Sequence, residues 1–229
     1  MAADTCFVLI PGAGGDAWYW SRLVPELAAR GHEAIAVDIR EDDPALGLAQ
    51  YADITVAAIG ARTDIVLVGQ SMGAFTVPVV ARRVPPRQIV LLNPMIPVPG
   101  ETPGDWWDAT GSGAARAAAD EAAGRSGDFD EDTYFLHDFS PELRAEAYAR
   151  GARGPSDTPF GEPCEFTAWP AVPMHVITGA DDRFFPAPFQ RQLAEQRLGV
   201  TPDVIPGGHL VAASNPIAVA ELLVGYLKD

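Results

Sequence analysis

The amino-acid sequence predicts an α/β fold with a mainly parallel central sheet flanked by helices. Short apolar runs alternate along the chain with segments of helical pattern, as in folds built from strand–helix–strand units. The runs are apolar at successive positions, which is typical of parallel strands buried on both faces. A length of 229 residues suits a single domain with a large core.

Four strands are predicted in the first part of the chain, at residues 6–10, 34–39, 65–68 and 88–92. Helices are predicted between them, at residues 18–30, 47–61 and 72–84. Asp16 is a suitable N-cap for the first helix. The aromatic residues at the start of that helix, Trp18, Tyr19 and Trp20, are more typical of packing than of binding. Pro78 lies inside the third helix, where it removes a hydrogen bond at a cost of about 3 kcal/mol if nothing compensates.

The pattern changes after the fourth predicted strand. Pro and Gly become frequent across residues 95–170, strand signals stop, and helices are predicted at residues 113–125 and 141–150. Such an insertion predicts a small helical cap, with the core formed by residues 1–94 and 171–229. The core resumes with strands predicted at residues 174–177 and 204–205 and helices at residues 187–198 and 215–227.

The composition narrows the range of partners. A formal net charge of −15 repels nucleic acid and anionic membranes, so neither is an expected partner. Cys6 and Cys164 are too few for a disulfide framework and are expected to fill the core as reduced thiols. The apolar run at residues 6–10 is too short for a signal peptide or a membrane span. We therefore expect a soluble, cytoplasmic monomer or homodimer that acts on a small molecule.

No cofactor or metal site is expected. The histidines lack the spacing of a zinc site, and the cysteines are neither paired nor near a histidine pair. The glycine-rich loop at residues 11–15 follows a strand, but its third glycine is displaced from the dinucleotide-binding pattern. Its backbone N–H groups are instead suited to an anion, as in an oxyanion hole. A plain turn is the alternative interpretation.

A Gly-x-Ser-x-Gly pattern, formed by Gly69, Ser71 and Gly73, lies between an apolar strand and a helix. A nucleophile elbow requires that context, because its sharp turn strains the serine and needs small residues beside it. The Ser71 hydroxyl is then expected at the carboxyl end of the strand, with the backbone N–H of Met72 facing the same point. An ordinary glycine-rich turn is the alternative.

A serine nucleophile needs a base, and the base needs a partner that fixes its tautomer. Among the four histidines, His209 alone follows a core strand at the edge where Ser71 is expected. The acid should follow the preceding strand, where Asp181 and Asp182 are both candidates. We favour Asp182, with Asp181 as a loop carboxylate. Asn93 occupies the other position suited to such an acid, but it does not ionise.

Aromatic residues are concentrated in the predicted cap and indicate an apolar pocket. Trp106, Trp107 and Phe135 lie in the insertion, and Phe184 lies in the loop that carries the acid. The same rings are equally suited to attaching a small cap to the core. Gly12 of the first loop and Leu210, which follows the base, complete the set. The predicted substrate-binding residues are Gly12, Trp106, Trp107, Phe135, Phe184 and Leu210.

These motifs make the chain similar to the α/β-hydrolase superfamily along nearly its whole length. Within that superfamily, it resembles the branch of plant methyl esterases and hydroxynitrile lyases, with their bacterial esterase relatives. The elbow and the histidine loop carry the likeness to the superfamily, and the first loop and the insertion indicate the branch. The matching segments are residues 7–15 with Trp18 and Trp20, 31–32, 69–73, 134–138, 189–190 and 208–210.

The resemblance implies a role for each residue of the site. By it, Ser71, Asp182 and His209 form a catalytic triad. The backbone N–H groups of Ala13 and Met72 form the oxyanion hole.

The sequence also departs from the family pattern. Pro11 stands where the family usually has a histidine before the first glycine of the loop, so this loop must be anchored differently. The nitrile lyases of the branch carry a threonine at the position of Gly12 and a lysine at that of Leu210. Both groups assist cyanohydrin cleavage, so their absence favours ester hydrolysis.

The expected function is hydrolysis of a small ester, thioester or lactone through an acyl-enzyme on Ser71. A second hypothesis is a pathway-specific hydrolase that acts on a carbon–carbon bond or on a polyketide-like or aromatic intermediate. A third is a small-ligand receptor that keeps the pocket and turns over slowly or not at all. The intact set of Ser71, Asp182 and His209 argues against a receptor, since a pure binder does not need all three.

Overall fold

The computed structural model of the protein describes residues 5–40, 42–151 and 154–228. Its strands are β1 Cys6–Ile10, β2 Glu33–Ala36, β3 Ile65–Gln70, β4 Gln88–Leu92, β5 Met174–Gly179 and β6 Asp203–Ile205. They form one sheet in the order β2-β1-β3-β4-β5-β6, and every neighbouring pair is parallel. The predicted α/β fold is confirmed.

The sequence of β1 shows why the sheet is covered on both faces. Cys6, Val8 and Ile10 belong to the core on one face, and Phe7 and Leu9 belong to the core on the other. Successive side chains of a strand point to opposite faces, so a strand that is apolar throughout is stable only when both faces are covered. All five residues are at most 1% exposed.

The helices in the described ranges are α1 Leu23–Ala29, α2 Leu48–Ile59, α3 Gly73–Ala81, α4 Pro103–Thr110, α5 Ser112–Ala122, α6 Glu131–Tyr134, α7 Pro141–Arg150, α8 Ala187–Leu198, α9 Val211–Ser214 and α10 Pro216–Gly225. Residues of α2, α3 and α8 contribute to the core on one face of the sheet, and residues of α1 and α10 contribute to the other. None of the helices described is long and apolar enough to span a membrane.

Several helical segments differ from the expectation, among them the short helices α6 and α9, which were not predicted. The helix predicted over residues 18–30 is divided into a 3-10 turn, Ala17–Trp20, and α1. Asp16 caps that turn by accepting the backbone N–H of Trp18 at 2.8 Å, so the predicted cap is confirmed. Helix α4 was not predicted. It begins after Thr102, whose hydroxyl accepts a hydrogen bond from the first turn.

The sheet order brings the candidate polar residues to one edge. Ser71, Asn93, Asp182 and His209 follow β3, β4, β5 and β6, which are neighbours in that order. Because the strands are parallel, their carboxyl ends share one edge, which is where open α/β sheets bind ligands.

The segment between β4 and β5 contains α4 to α7 and a 3-10 turn at Thr158–Gly161. A partly buried ion pair between Arg197 of α8 and Glu101 attaches its start to the core, with N–O distances of 2.5 and 2.9 Å. Near its end, the Sγ of Cys164 lies 3.2 Å from the carbonyl oxygen of Phe75 in α3. The division into a core and a cap stays a prediction.

Candidate active site

Ser71 lies in the sharp turn between β3 and α3, with a φ of 49°. This left-handed conformation is strained for a residue with a side chain. The residues two positions before and two positions after Ser71 must be small. A Cβ on Gly69 would lie 2.6 Å from Cγ2 of Val77, and one on Gly73 would lie 2.8 Å from the carbonyl oxygen of Ile10. Glycine alone fits at both positions, so local packing holds Ser71 in the strained turn.

Ser71 and Asp182 both contact the imidazole of His209. The Nε2 atom of His209 lies 3.1 Å from Oγ of Ser71, and its Nδ1 atom lies 2.8 Å from Oδ2 of Asp182. All three residues are at most 6% exposed. The structure therefore brings together, in hydrogen-bonding geometry, the serine, the base and the acid that the sequence analysis selected. This arrangement can activate a serine hydroxyl for attack on a carbonyl carbon.

The carboxylate of Asp182 is buried, and four hydrogen bonds replace the water it has lost. Its Oδ1 accepts the backbone N–H groups of Phe184 and Phe185 at 2.8 and 2.9 Å. Its Oδ2 accepts from Nε2 of Gln190 at 3.0 Å, in addition to the contact with His209. A buried charge that is fully hydrogen-bonded keeps one orientation. The carboxylate is therefore fixed toward the imidazole.

Asn93 joins the acid strand to the histidine loop, a role the sequence analysis missed. Its Nδ2 donates to the carbonyl oxygens of Gly208 and His209 at 3.0 and 2.9 Å, and its Oδ1 accepts the N–H of Gly179 at 2.7 Å. Asn93 is fully buried and has a φ of 44°. The signal for this role was its place directly after a strand at the edge of the sheet. Gln190 gave no such signal, because it lies inside a helix.

The loop after β1 packs directly on the turn that carries Ser71. A Cβ on Gly12 would lie 2.7 Å from Cβ of Ser71 and would overlap Oε1 of Gln70. In the part of the chain that the structure describes, no hydrogen bond engages the backbone N–H of Ala13 or of Met72. Both groups remain available to an anion beside the serine, and their assignment to an oxyanion hole stays a prediction.

A cavity of about 620 Å³ lies beside Ser71 and His209, and both residues line it. Trp106, which the sequence analysis placed among the substrate-binding residues, does not line it. Trp106 is fully buried, donates its indole N–H to the carbonyl oxygen of Ile96 at 3.1 Å, and packs against Trp107 with ring centroids 5.5 Å apart. It supports the wall from behind. The other predicted substrate-binding residues line the cavity: Gly12, Trp107, Phe135, Phe184 and Leu210.

The sequence analysis missed part of the cavity wall. Trp18 and Tyr19, which were expected only to pack, both line it. Charged groups come from Asp16, Glu131 and Arg150. Helix α7, which carries Arg150, is exposed along most of its length, so the sequence pattern does not mark it as part of a cavity.

Three phenylalanine rings surround the imidazole of His209. Its ring centroid lies 5.3 Å from that of Phe135, 5.2 Å from that of Phe184 and 5.1 Å from that of Phe185. Apolar rings at these distances exclude water from the hydrogen bond between His209 and Asp182. Electrostatic interactions are stronger in such a dry environment.

His175 and the two cysteines lie away from this site. His175 stacks on Tyr226 with ring centroids 3.8 Å apart. Burial raises the pKa of Cys6 to about 11 and that of Cys164 to about 12, so both thiols stay protonated near neutral pH. Over the described ranges, no group of three or more His, Cys, Asp or Glu side chains is placed to hold a metal ion.

Comparison with known proteins identifies the family. The model of the alpha/beta hydrolase family matches residues 7–222. The chain belongs to this family. Among its relatives, the probable esterase PIR7A from Oryza sativa subsp. indica is 31% identical over 107 residues, which are 42% of this chain and 41% of that protein. Norfluorocurarine synthase 1 from Strychnos nux-vomica is 33% identical over 89 residues, or 34% of each chain. Each match thus spans less than half of the relative.

Solved structures of this alpha/beta hydrolase fold cover nearly the whole chain. A pyrethroid hydrolase from Sphingobium faniae JZ-2 has a TM-score of 0.76 at 20% identity, covering 99% of this chain and 98% of its own. The methylesterase MES16 from Arabidopsis has a TM-score of 0.75 at 18% identity, covering 98% of this chain and 99% of its own. At such identities the likeness shows the fold alone.

Proposed function

We propose that this alpha/beta hydrolase is a serine carboxylesterase that cleaves a small ester in the cavity beside Ser71. The observation that carries the proposal is the hydrogen-bonded chain from Ser71 through His209 to Asp182, with the serine at the cavity wall. The esterase names of related proteins support the same reaction. Thioesters and lactones react by the same chemistry and fall within the proposal.

In the first half-reaction, Oγ of Ser71 attacks the ester carbonyl while Nε2 of His209 accepts the hydroxyl proton. Asp182 accepts a hydrogen bond from Nδ1–H and so holds the tautomer that leaves Nε2 free to accept that proton. The carbonyl oxygen becomes an oxyanion and receives hydrogen bonds from the N–H groups of Ala13 and Met72. Each such donor stabilises the transition state by roughly 3–4 kcal/mol. His209 then protonates the departing alcohol.

In the second half-reaction, His209 removes a proton from a water molecule as that water attacks the acyl carbonyl. The same oxyanion donors stabilise the second tetrahedral intermediate. When the intermediate collapses, the imidazolium returns its proton to Oγ of Ser71 and the carboxylic acid leaves. The enzyme is restored with no net change in its protonation.

Two positions argue against cyanohydrin cleavage on this scaffold. A Cβ at position 12 would overlap Gln70 and lie 2.7 Å from Cβ of Ser71, so the threonine of the nitrile lyases does not fit in place of Gly12. Leu210 lines the cavity where those enzymes carry a lysine. An apolar side chain there offers no charge to stabilise cyanide.

The first test is hydrolysis of short p-nitrophenyl and methyl esters by the wild type and by Ser71→Ala. We expect the wild type to turn over and the variant to lose at least about 10³-fold in kcat, because the nucleophile is removed while the oxyanion hole and the cavity remain. The dependence of kcat/KM on acyl length then shows how long an acyl group the cavity accepts.

A matched control is Ser126→Ala, which changes a serine whose hydroxyl accepts an exposed hydrogen bond in the loop after α5. It should retain wild-type kcat and KM. Ester hydrolysis that survives unchanged in Ser71→Ala would overturn the proposal. An absence of turnover in well-folded wild type, across the whole ester series, would favour the specialised hydrolase or the receptor.

A further inference from the structure

The loop at residues 11–15 must be held still if its N–H groups are to stabilise an oxyanion. Its first half is fixed by packing, because Gly12 lies directly against Ser71 and Gln70. Its second half closes a tight turn, in which the N–H of Gly15 donates to the carbonyl oxygen of Gly12 at 2.9 Å. Pro11, at the start of the loop, supplies no side-chain hydrogen bond. Contacts beyond the end of the loop are therefore important for holding it.

Asp16 directly follows the loop, and a side chain from helix α7 holds it. The guanidinium of Arg150 lies 2.5 Å from Oδ2 of Asp16. The other carboxylate oxygen of Asp16 accepts the backbone N–H of Trp18 at 2.8 Å. Arg150 also lies over the ring of Trp18, 5.4 Å from its centroid. The Asp16 side chain is 9% exposed, although that of Arg150 is 40% exposed. A pair with a nearly buried carboxylate and a cation–π contact is held more rigidly than a pair in which both side chains are exposed.

We propose that Arg150 is a positioning residue that acts through Asp16 and fixes the loop at residues 11–15, which carries the N–H group of Ala13. This inference rests on the proposed function, since it concerns donors that act only on a developing oxyanion. Arg150 and Asp16 line the same cavity as Ser71, and they join segments 134 residues apart in the chain. Docking of α7 on the loop thus assembles both the cavity wall and the site for the oxyanion.

A second ion pair on α7 provides a comparison. Arg22 and Glu146 also join the first part of the chain to α7, but at 3.5 Å, with 41% and 54% of their side chains exposed. Neither residue lines the cavity. Solvent screens such a pair, and its loss should leave the loop in place. Glu146→Gln is therefore a matched control for changes at Arg150.

The test uses two readouts on Arg150→Met, Arg150→Lys, Asp16→Asn and Glu146→Gln. One is kcat and KM for the best ester. The other is the rate at which a fluorophosphonate labels Ser71, a reaction in which Oγ bonds to phosphorus, fluoride leaves and the phosphoryl oxygen occupies the oxyanion site. Asp16→Asn keeps an acceptor for Trp18 and so preserves the turn. Thermal unfolding midpoints verify that each variant is folded.

We expect Arg150→Met and Asp16→Asn each to lower kcat and the labelling rate about tenfold, because displaced donors stabilise the transition state less, while KM changes little. The double variant Arg150→Met with Asp16→Asn should lose no more activity than either single variant, because both changes break the same ion pair. Arg150→Lys should recover part of the loss, and Glu146→Gln should match the wild type.

Several results would overturn the inference. Wild-type labelling rates in both Arg150→Met and Asp16→Asn would show that the loop holds without the pair. A rise in KM alone would assign the pair to substrate binding. An equal loss in Glu146→Gln would point to general loosening of α7. Failure of a fluorophosphonate to label the wild type at all would instead overturn the proposed function, so the two failures are distinguishable.

Discussion

Asp181 and Asp182 are adjacent in the chain, but their carboxylates make different contacts. Both carboxylates follow β5 at the same edge of the sheet, so the sequence pattern admits either as the acid. In the structure, Oδ2 of Asp182 faces His209, whereas Oδ2 of Asp181 accepts the backbone N–H of Gly207 at 3.2 Å. Asp181 therefore supports the loop that carries the histidine without touching its ring.

This difference leads to a prediction for the two carboxylates. Asp182→Asn should lower kcat by about 10⁴-fold, because the amide does not favour the tautomer of His209 in which Nε2 accepts a proton. Asp181→Asn is the matched control, an identical change one residue away. Its kcat should stay within about tenfold of the wild type, because the amide oxygen still accepts the N–H of Gly207 and the side chain does not touch the imidazole. Steady-state kinetics on one ester decides the matter, and comparable losses in the two variants would contradict the assignment.

Trp106 and Trp107 are likewise adjacent in the chain but differ in burial. They are adjacent on α4, where successive side chains point about 100° apart. One ring therefore lines the cavity and the other packs behind it. Because the sequence analysis did not predict α4, it could not separate the two.

At the scale of elements, the strands were predictable because their signals are local. Each apolar run became a strand within a few residues of its predicted bounds, and parallel pairing then placed Ser71, Asp182 and His209 at one edge. Helix α4 was missed although it carries the usual terminal signals, a Thr102 cap, a following proline and Gly111 at its end. Frequent Pro and Gly in this stretch obscured the helical pattern.

The end of β4 carries a second prediction. Asn93→Asp should lower the free energy of unfolding by about 3 kcal/mol, because the buried side chain loses its donors and faces the carbonyl oxygens of Gly208 and His209. The kcat should fall as well, since the histidine loop loses its link to β5. Denaturant unfolding and ester kinetics measure the two effects.

The same substitution at Asn215 is the control for Asn93→Asp. The Nδ2 of Asn215 donates to the carbonyl oxygen of Pro206 at 2.9 Å in an exposed hydrogen bond. Water replaces that bond, so Asn215→Asp should cost less than about 1 kcal/mol. Equal costs at the two positions would show that Asn93 does not join the strand to the loop.

At the scale of the whole molecule, the site depends on segments far apart in the chain. The cavity wall combines the loop after β1, the elbow, α7 and the histidine loop. Contacts such as that between Arg150 and Asp16 follow from how the helices pack, which local patterns do not encode. Sequence reasoning therefore selected the residues of the proposed reaction, whereas the cavity and its supports required the fold.

The packing of the insertion on the core leads to the last prediction. Cys6 lies in β1, and Cys164 lies in the insertion with its thiol against Phe75 of α3; both are at most 1% exposed. Thiolate is the reactive form, and burial raises both pKa values, so a native protein at pH 8 should label neither cysteine with a disulfide reagent. Denatured protein should label both, as the control.

Because Cys164 is held by the core, we expect the two thiols to react at one common rate as denaturant is added, measured by peptide mass spectrometry. Much faster labelling of Cys164 would show that the insertion opens independently of the sheet, since its thiol would then reach solvent without unfolding of β1.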